Sequence, residues 1–464
     1  DWSRVAEAIE SARHALELSP NMIGAHNLLG NALKDDGCVA EAIASFDRAL
    51  AVKPNEPAFH SNKVYTMQFL PDCDARALFE EQRRWNHLHA MPVQQFAVPR
   101  ENDRAPDRKL RVGYVSPYFH AHAESFFVVP LLESHDPAQF EIHCYADVVR
   151  PDAVTQRLRG CAFGWHDCVG LTDAELADQI RRDRIDILVD LTMHMARNRA
   201  LAFARKPAPV QVAWLAYPGG TGLDAMDFRV TDPRIDPPGE DESCYREQSI
   251  RLPKSWCCYD PLTEIPPSTA KGPGPVRFGS LNNPCKLNEP LLRLWARVMQ
   301  AVPDSQLLLQ VIGENHRQRI LDLYRSLNIA PERLEFAARC SREEYLRLYD
   351  KIDICLDPLP YNGITTTCDA LWMGVPVVTL AGKTAAGRAG TSILMNLGLS
   401  DLAARDPEQF IDVAAALAAD APRRVDLRST LRQRMRQSPL MDNRRFAHDM
   451  EAAYRQMWRQ WCPS

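Results

Sequence analysis

No apolar run in this sequence approaches the ~20 residues that a membrane-spanning helix needs. No basic excess marks a nucleic-acid surface, because 55 lysines and arginines face 60 acidic residues for a net charge of −5. No C-x-x-C pair occurs among the 13 cysteines. Their odd number, and their apolar neighbours at Cys144, Cys355 and Cys368, read as buried free thiols of a reducing compartment rather than a disulfide framework or a zinc site. No leader is visible, since Asp1 opens directly into an amphipathic pattern. That start points to a longer parent chain or one cut at its front. The expectation is a cytoplasmic protein that engages neither membrane nor nucleic acid. What is present is ample: 464 residues, 45% of them hydrophobic, suffice for about three domains.

A repeat comes first. "AEAIESARHALELSPN" at 6–21 lies over "AEAIASFDRALAVKPN" at 40–55, so that Pro20 and Pro54, and Ala8 and Ala42, share one period. That period is the one of tetratricopeptide repeats, pairs of antiparallel helices. Ala8, Gly30, Ala42 and Ala49 sit where such helices approach closely, and the two prolines fall between units. Arrays of this kind bind extended peptides. Residues 66–107 continue as helix and a polar lead-in.

At Leu110 the pattern changes to short β-branched runs: "LRVGYVS", "FEIHCYA", "IDILVDL" and "VQVAWLAYPG", with helical stretches such as "TDAELADQIRRDR" between. A second series follows, "VRFGSL", "SQLLLQVIG", "RLEFAA", "DICLDP" and "PVVTLAG". The stretch 262–275, rich in Pro, Ser, Thr and Gly, reads as the linker. The expected order is 1–107 helical repeats and lead-in, 108–261 a first Rossmann-like half, 262–275 linker, and 276–464 a second Rossmann-like half. Both halves are α/β, doubly wound, with ligand at the carboxyl ends of their strands. The last helix carries an apolar stripe of Phe446, Met450, Tyr454, Met457, Trp458 and Trp461, a docking face.

Candidate residues lie just after strands. His120 and His122 follow the first one. The H-x-H pair suits a metal, a catalytic imidazole or a surface histidine without a role, and the residues alone leave all three open. His194 follows "IDILVDL" and reads as catalytic or structural. Tyr217-Pro218-Gly219-Gly220-Thr221-Gly222 lets backbone approach a ligand or simply makes a turn. In the second half, Asn282, Asn283 and Lys286 end the first strand, where a lysine serves phosphate as a point charge or is merely solvated. "YNGITTTCDALWMG" opens a helix at Thr365, Thr366 and Thr367. Its free N–H groups favour an anion, Asp369 can take a ribose hydroxyl, and the bland alternative is threonine N-capping. Metal-dependent sugar-nucleotide enzymes hold their cation with D-x-D. Asp72-Cys73-Asp74, the one such triplet, falls in the helical segment outside both halves. This favours neutralisation of a diphosphate by Lys286 and the helix end, with no metal.

Together "VGYVSPYFHAH", "ILVDLTMHMARNRA", "PAPVQVAWLAYPGGTG", "LNNPCK" and "YNGITTTCDALWMGVPVVTL" resemble the O-linked N-acetylglucosamine transferases and their bacterial homologues, from about Leu110 to the C-terminus. The repeat fits too. The resemblance implies a GT-B glycosyltransferase without a metal or other cofactor. It would move a sugar, foremost N-acetylglucosamine from UDP-GlcNAc, with inversion to Ser or Thr of proteins held along the repeats. It also implies roles. His122 matches the active-site histidine. Lys286 matches the diphosphate lysine and Asn283 its neighbour. Thr365 and Thr366 match phosphate-binding threonines, Asp369 the ribose aspartate, and Cys340 and Arg342 the base grip. Asp178 matches an aspartate put forward as base. His194, Tyr217, Pro218, Gly219 and Thr221 fall on the acceptor and sugar side. Tyr345 and Ile364 stand where the animal enzymes have histidines near the donor. The plant SPINDLY-type branch uses a fucose nucleotide, so GDP-fucose is the alternative donor. A reading of another class is a peptide-binding scaffold whose α/β part holds nucleotide without transfer. The joint presence of His122, Lys286 and the threonines speaks against it.

Overall fold

The structure, a computed structural model, describes residues 4–97, 101–267 and 274–463. Two compact units divide the chain. One comprises Asp1–Phe59, Tyr65–Asp74 and Pro261–Ser438, and the other His60–Val64, Ala75–Asp260 and Pro439–Ser464. Of the expected linker, residues 268–273 lie outside the described residues.

The unit around Ala75–Asp260 holds a seven-stranded sheet. Its strands are β1 (Leu110–Ser116), β2 (Phe140–Ala146), β3 (Gly164–Asp167), β4 (Ile187–Asp190), β5 (Val210–Ala213), β6 (Phe228–Thr231) and β7 (Gln248–Arg251). All pairings are parallel, in the order β3-β2-β1-β4-β5-β6-β7. The apolar runs become the central strands because both faces are covered, so β4 and β5 are buried at every residue. The order reverses direction between β1 and β4, and a doubly wound sheet opens a crevice at the carboxyl ends of such a pair.

The last helix, Asn443–Trp461, belongs to this first-sheet unit, not to the half expected from its place in the chain. Its stripe explains why. Phe446, Met450, Tyr454, Met457 and Trp458 are all buried. The Tyr454 hydroxyl meets that of Tyr114 in β1 at 2.9 Å, and Phe446 packs on Trp214 with ring centroids 6.0 Å apart. Arg108 lies over the Trp458 ring at 4.7 Å.

The other unit holds a six-stranded parallel sheet. It contains β8 (Arg277–Ser280), β9 (Gln306–Gln310), β10 (Leu334–Ala337), β11 (Ile354–Leu356), β12 (Val377–Leu380) and β13 (Ala403–Ala404), in the order β10-β9-β8-β11-β12-β13. Its direction reverses between β8 and β11. Helices Val5–Leu18, Ile23–Asp35 and Val39–Val52 form the repeat, around a core of Ile9, Leu29, Leu33, Ala42 and Phe46. Gly30 is required there: a Cβ would stand 2.5 Å from the Phe46 ring. The repeat segment clusters with this second sheet. Asp36 pairs with Arg319 at 2.9 Å, and Gly37, at φ +79°, leaves room for the His316 imidazole. Asp72-Cys73-Asp74 lies in the turn between helices Pro57–Met67 and Ala75–Trp85.

Candidate functional site

In the unit of the second sheet, the chemistry gathers where the strand order reverses. The loop after β8 carries Asn282, Asn283 and Lys286, and the loop after β11 runs from Asp357 to the helix Thr365–Trp372. Lys286 Nζ donates to the Asn362 carbonyl at 2.7 Å and stands 4.1 Å from the Tyr361 ring centroid. Among the described residues no carboxylate lies within ion-pair distance of it. Burial pushes this ammonium down to about 8, against the upward pull of Cys285 and Asp357. The result is a half-buried cation held by neutral groups, a condition that an anion would relieve.

The helix Thr365–Trp372 has Ile364 at its N-cap, which contributes no side-chain cap. Threonine capping, the bland alternative, is therefore not what the structure has. The hydroxyls do other work. Thr366 Oγ1 donates to Asn282 Oδ1 at 2.8 Å, and Thr367 Oγ1 donates to the Gly363 carbonyl at 3.1 Å. The N–H groups of the first turn have no intrahelical acceptor, and they carry the positive end of the helix dipole. Thr365 is the first residue of that turn.

Behind the loop sits Asp357, which the sequence reading did not single out. It accepts from the Gly363 N–H at 2.7 Å, from Thr379 Oγ1 at 2.7 Å and from Thr367 Oγ1 at 3.3 Å. Burial raises its carboxyl to about 6 against those bonds. Asn362 completes the brace: its side chain donates to the Pro358 carbonyl and accepts from the Gly390 N–H. The only local sign of Asp357 was its place between a strand end and the Asn362-Gly363 turn.

Asp369, 1% exposed, takes a two-pronged ion pair from Arg342 at 2.7 and 2.6 Å. Arg342 opens helix Arg342–Leu348, capped by the reciprocal Ser341–Glu344 box. Its guanidinium lies 5.5 Å from the Tyr345 ring. The Tyr345 hydroxyl bonds that of Tyr349, which donates to the Thr366 carbonyl at 3.0 Å. Cys340 immediately precedes the helix cap and is partly exposed. The structure thus brings Lys286, Arg342, Tyr345, Ile364, Thr365, Thr366 and Asp369 into one bonded neighbourhood, with Asn283 exposed at its edge.

In the unit of the first sheet, His122 follows β1. Its ring stacks on Tyr118 with centroids 4.1 Å apart, and Nδ1 accepts from the Glu124 N–H at 3.3 Å. Burial, helped by His120, pushes the imidazole down to about 4, so it is neutral at pH 7. Because the backbone N–H must donate, Nδ1 is bare and Nε2 carries the proton. Next to it, Glu124 is buried at 6% exposure and accepts from Ser116 Oγ at 2.7 Å. Burial raises its carboxyl to about 8, with the Asp190 charge adding to the rise.

His194 is fully buried, and both nitrogens are engaged: Nδ1 with Ser61 Oγ at 3.3 Å and Nε2 with the Thr221 carbonyl at 2.8 Å. It offers no ring nitrogen to a ligand, so its acceptor-side placement gives way to a structural one. Thr221 is likewise internal, donating through N–H and Oγ1 to Glu247 at 2.5 Å each. Gly222, at φ +72°, is pressed against helix Ala75–Trp85, where a Cβ would meet Gln82 at 2.5 Å. Tyr217 and Pro218 are buried; Gly219 is the partly exposed member of this loop. Asp178 is exposed on helix Asp173–Arg182 and paired with Arg181 at 2.5 Å, a helix-surface residue. Among the described residues no group of three or more His, Cys, Asp or Glu is arranged around a metal position.

The profile described as glycosyl transferase family 41 matches residues 83–266 and 273–450. A tomato (Solanum lycopersicum) protein named probable UDP-N-acetylglucosamine–peptide N-acetylglucosaminyltransferase SPINDLY is 36% identical over 424 residues, covering 89% of this chain and 45% of its own length. The Arabidopsis thaliana protein of the same activity name, SEC, is 27% identical over 368 residues, covering 76% and 38%. The chain therefore spans about half the length, or less, of these curated relatives. An O-GlcNAc transferase mutant of Thermobaculum terrenum superposes with a TM-score of 0.94 at 38% identity, covering 99% of this chain and 89% of that one.

Proposed function

This chain belongs to glycosyl transferase family 41, and from that premise we propose that it is a protein O-glycosyltransferase of GT-B fold. It moves a sugar, foremost N-acetylglucosamine from UDP-GlcNAc, onto Ser or Thr hydroxyls of protein acceptors. The observation that carries the reading is Lys286: a half-buried ammonium without a carboxylate partner, beside a helix N-terminus that no side chain caps. That arrangement suits the diphosphate of a nucleotide sugar.

In this reading the acceptor hydroxyl attacks the anomeric carbon in line, the bond to the diphosphate breaks, the hydroxyl proton passes to an oxygen of the departing diphosphate, and configuration inverts. Lys286 and the N–H groups of the Thr365–Thr367 turn stabilise the negative charge that develops on the leaving group. That positive charge does the neutralising which a cation supplies in D-x-D enzymes, so the reaction needs no metal. Asp369, held in place by the two-pronged pair with Arg342, is the acceptor for a ribose hydroxyl in this reading. Asn283, Cys340 and Tyr345 complete the donor site. His122, neutral and protonated on Nε2, enters as a hydrogen-bond donor to the reacting oxygens in the tautomer that the Glu124 N–H imposes.

The helices of residues 5–67 serve the acceptor, as a peptide-binding surface. A cytoplasmic location fits the 13 cysteines, all free thiols, and no described helix is long and apolar enough to cross a membrane. Thermal shift with UDP, GDP, UDP-GlcNAc and GDP-fucose tests the donor, because a ligand of the native state raises Tm by mass action. UDP and UDP-GlcNAc should raise it. A response to the GDP pair alone would move the donor to a fucose nucleotide, and no response to any would refute the reading.

A further inference from the structure

The unit of the second sheet has a hollow, lined in part by Leu359 and Pro360 of the loop after β11, that the proposed reaction does not use. Its volume is about 550 Å³, within the roughly 300–1,000 Å³ of small-molecule sites. The walls are apolar. Leu291 and Leu294 come from helix Glu289–Ala301, Leu359 and Pro360 from the loop after β11, and Leu380 from the end of β12. The rim is cationic: Arg293, Arg297, Lys383 and Arg405 line it, and no carboxylate does. Arg293 and Arg297 already have partners, Glu289 at 2.7 Å and Glu408 at 2.5 Å. Among the described residues no carboxylate pairs with Lys383 or Arg405.

A greasy hollow with two uncommitted cations at its mouth has one complementary ligand chemistry. The ligand must fill the hollow with hydrocarbon, whose burial away from water drives binding. It must also leave one negative group at the rim, where Lys and Arg heads stay in water while their stems cover apolar surface. A neutral hydrocarbon leaves the cations unanswered, and a cationic amphiphile is repelled by them.

The wall also touches the donor machinery. Asn288, which lines the hollow, donates from Nδ2 to the Leu359 carbonyl at 2.6 Å and to the Lys286 carbonyl at 3.3 Å. Leu359 itself precedes Asn362, whose carbonyl holds the Lys286 ammonium. An occupant pressing on Leu359 and Asn288 therefore bears on both ends of that bond.

We propose that this hollow is a second ligand site, which takes a small molecule with an apolar body and one carboxylate and shifts the affinity of the donor loop through Leu359 and Asn288. The coupling clause rests on the donor-site reading above; the binding clause does not.

The test uses the full chain and decanoate as probe, with decanol and decyltrimethylammonium as controls of equal chain length. Calorimetric titration should show saturable decanoate binding, with both controls weaker by about tenfold or more. Lys383→Glu combined with Arg405→Glu should weaken decanoate by about tenfold, and Leu294→Trp, which fills the hollow without touching charge, should weaken it comparably. Near-equal binding of the three probes, an affinity unchanged in both variants, or no saturable decanoate binding would each overturn the site. Saturating decanoate should also change the Kd for UDP by about threefold or more; an unchanged Kd overturns the coupling. A protein that binds decanoate selectively but never binds UDP counts against the donor reading and not against this site.

Discussion

The ammonium of Lys286 donates to the main-chain carbonyl of Asn362, 76 residues further along the chain, at 2.7 Å. One bond thereby ties together the two loops that leave β8 and β11. It also fixes a positive charge that, among the described residues, has no carboxylate within ion-pair distance.

Removing that charge should abolish turnover. Lys286→Ala is expected to lower kcat by about 10²–10³ and to weaken UDP by about tenfold or more. Circular dichroism and Tm should stay near those of the parent. The ammonium should also report itself through pH. It is charged below about 8 and loses its proton above, so UDP affinity should hold at neutral pH and fall as pH rises past about 8. A UDP affinity flat across that range would show that the lysine is not the diphosphate's partner.

Arg342 and Asp369 form an ion pair in which the carboxylate is almost wholly buried. Breaking such a pair from one side leaves a buried charge unanswered, at a cost of about 3 kcal/mol. Arg342→Gln should therefore destabilise by about that amount in urea titration. With Asp369→Asn added, the loss should be less than the sum of the two single losses by about 1 kcal/mol or more. Strict additivity would mean that the pair contributes nothing.

Glu124 gives a pH signature of opposite origin. Its folded carboxyl is raised to about 8, from an ordinary value of about 4.5. The folded state thus keeps a proton that the unfolded state has lost, and stability falls as pH rises from about 4.5 to about 8. Above that window the penalty is complete, at most about 4–5 kcal/mol on 1.36 kcal/mol per pH unit. Glu124→Gln should raise Tm at pH 8 and leave it nearly unchanged at about pH 4.5. An equal effect at both values would argue that no buried acid titrates there.

A strong chelator should leave turnover intact, since Lys286 and the helix end carry the leaving-group charge. Activity lost to the chelator and restored by Mg²⁺ or Mn²⁺ would replace that account with a bound cation.

Strands with apolar, β-branched residues on both faces were plain in the sequence, which is why β1, β2, β4, β5 and β8 to β12 were all marked there. β3 ("GWHD"), β6 ("FRVT"), β7 ("QSIR") and β13 ("AA") were not. They are short, and β3, β7 and β13 are edges, half-exposed or too brief to show a period. The site followed the same logic. Residues directly after a central strand, such as Lys286 and His122, are marked by position. Relationships across the fold are not: nothing local reveals that Arg342 spans to Asp369, or that Ser61 and Trp85 close over His194. The last helix shows the same limit. Its stripe was legible as a docking face, but its partner, the sheet of Tyr114, lies more than 300 residues earlier.

The central claim is sugar transfer to protein hydroxyls. It is tested most directly by incubating the parent and Lys286→Ala proteins with UDP-GlcNAc labelled in the sugar, in the presence of a protein extract, and measuring label in protein before and after alkaline β-elimination. The account predicts label that the parent installs, that alkali releases as expected of Ser and Thr linkages, and that Lys286→Ala fails to install. Label absent with the parent, or equal with the variant, would contradict it.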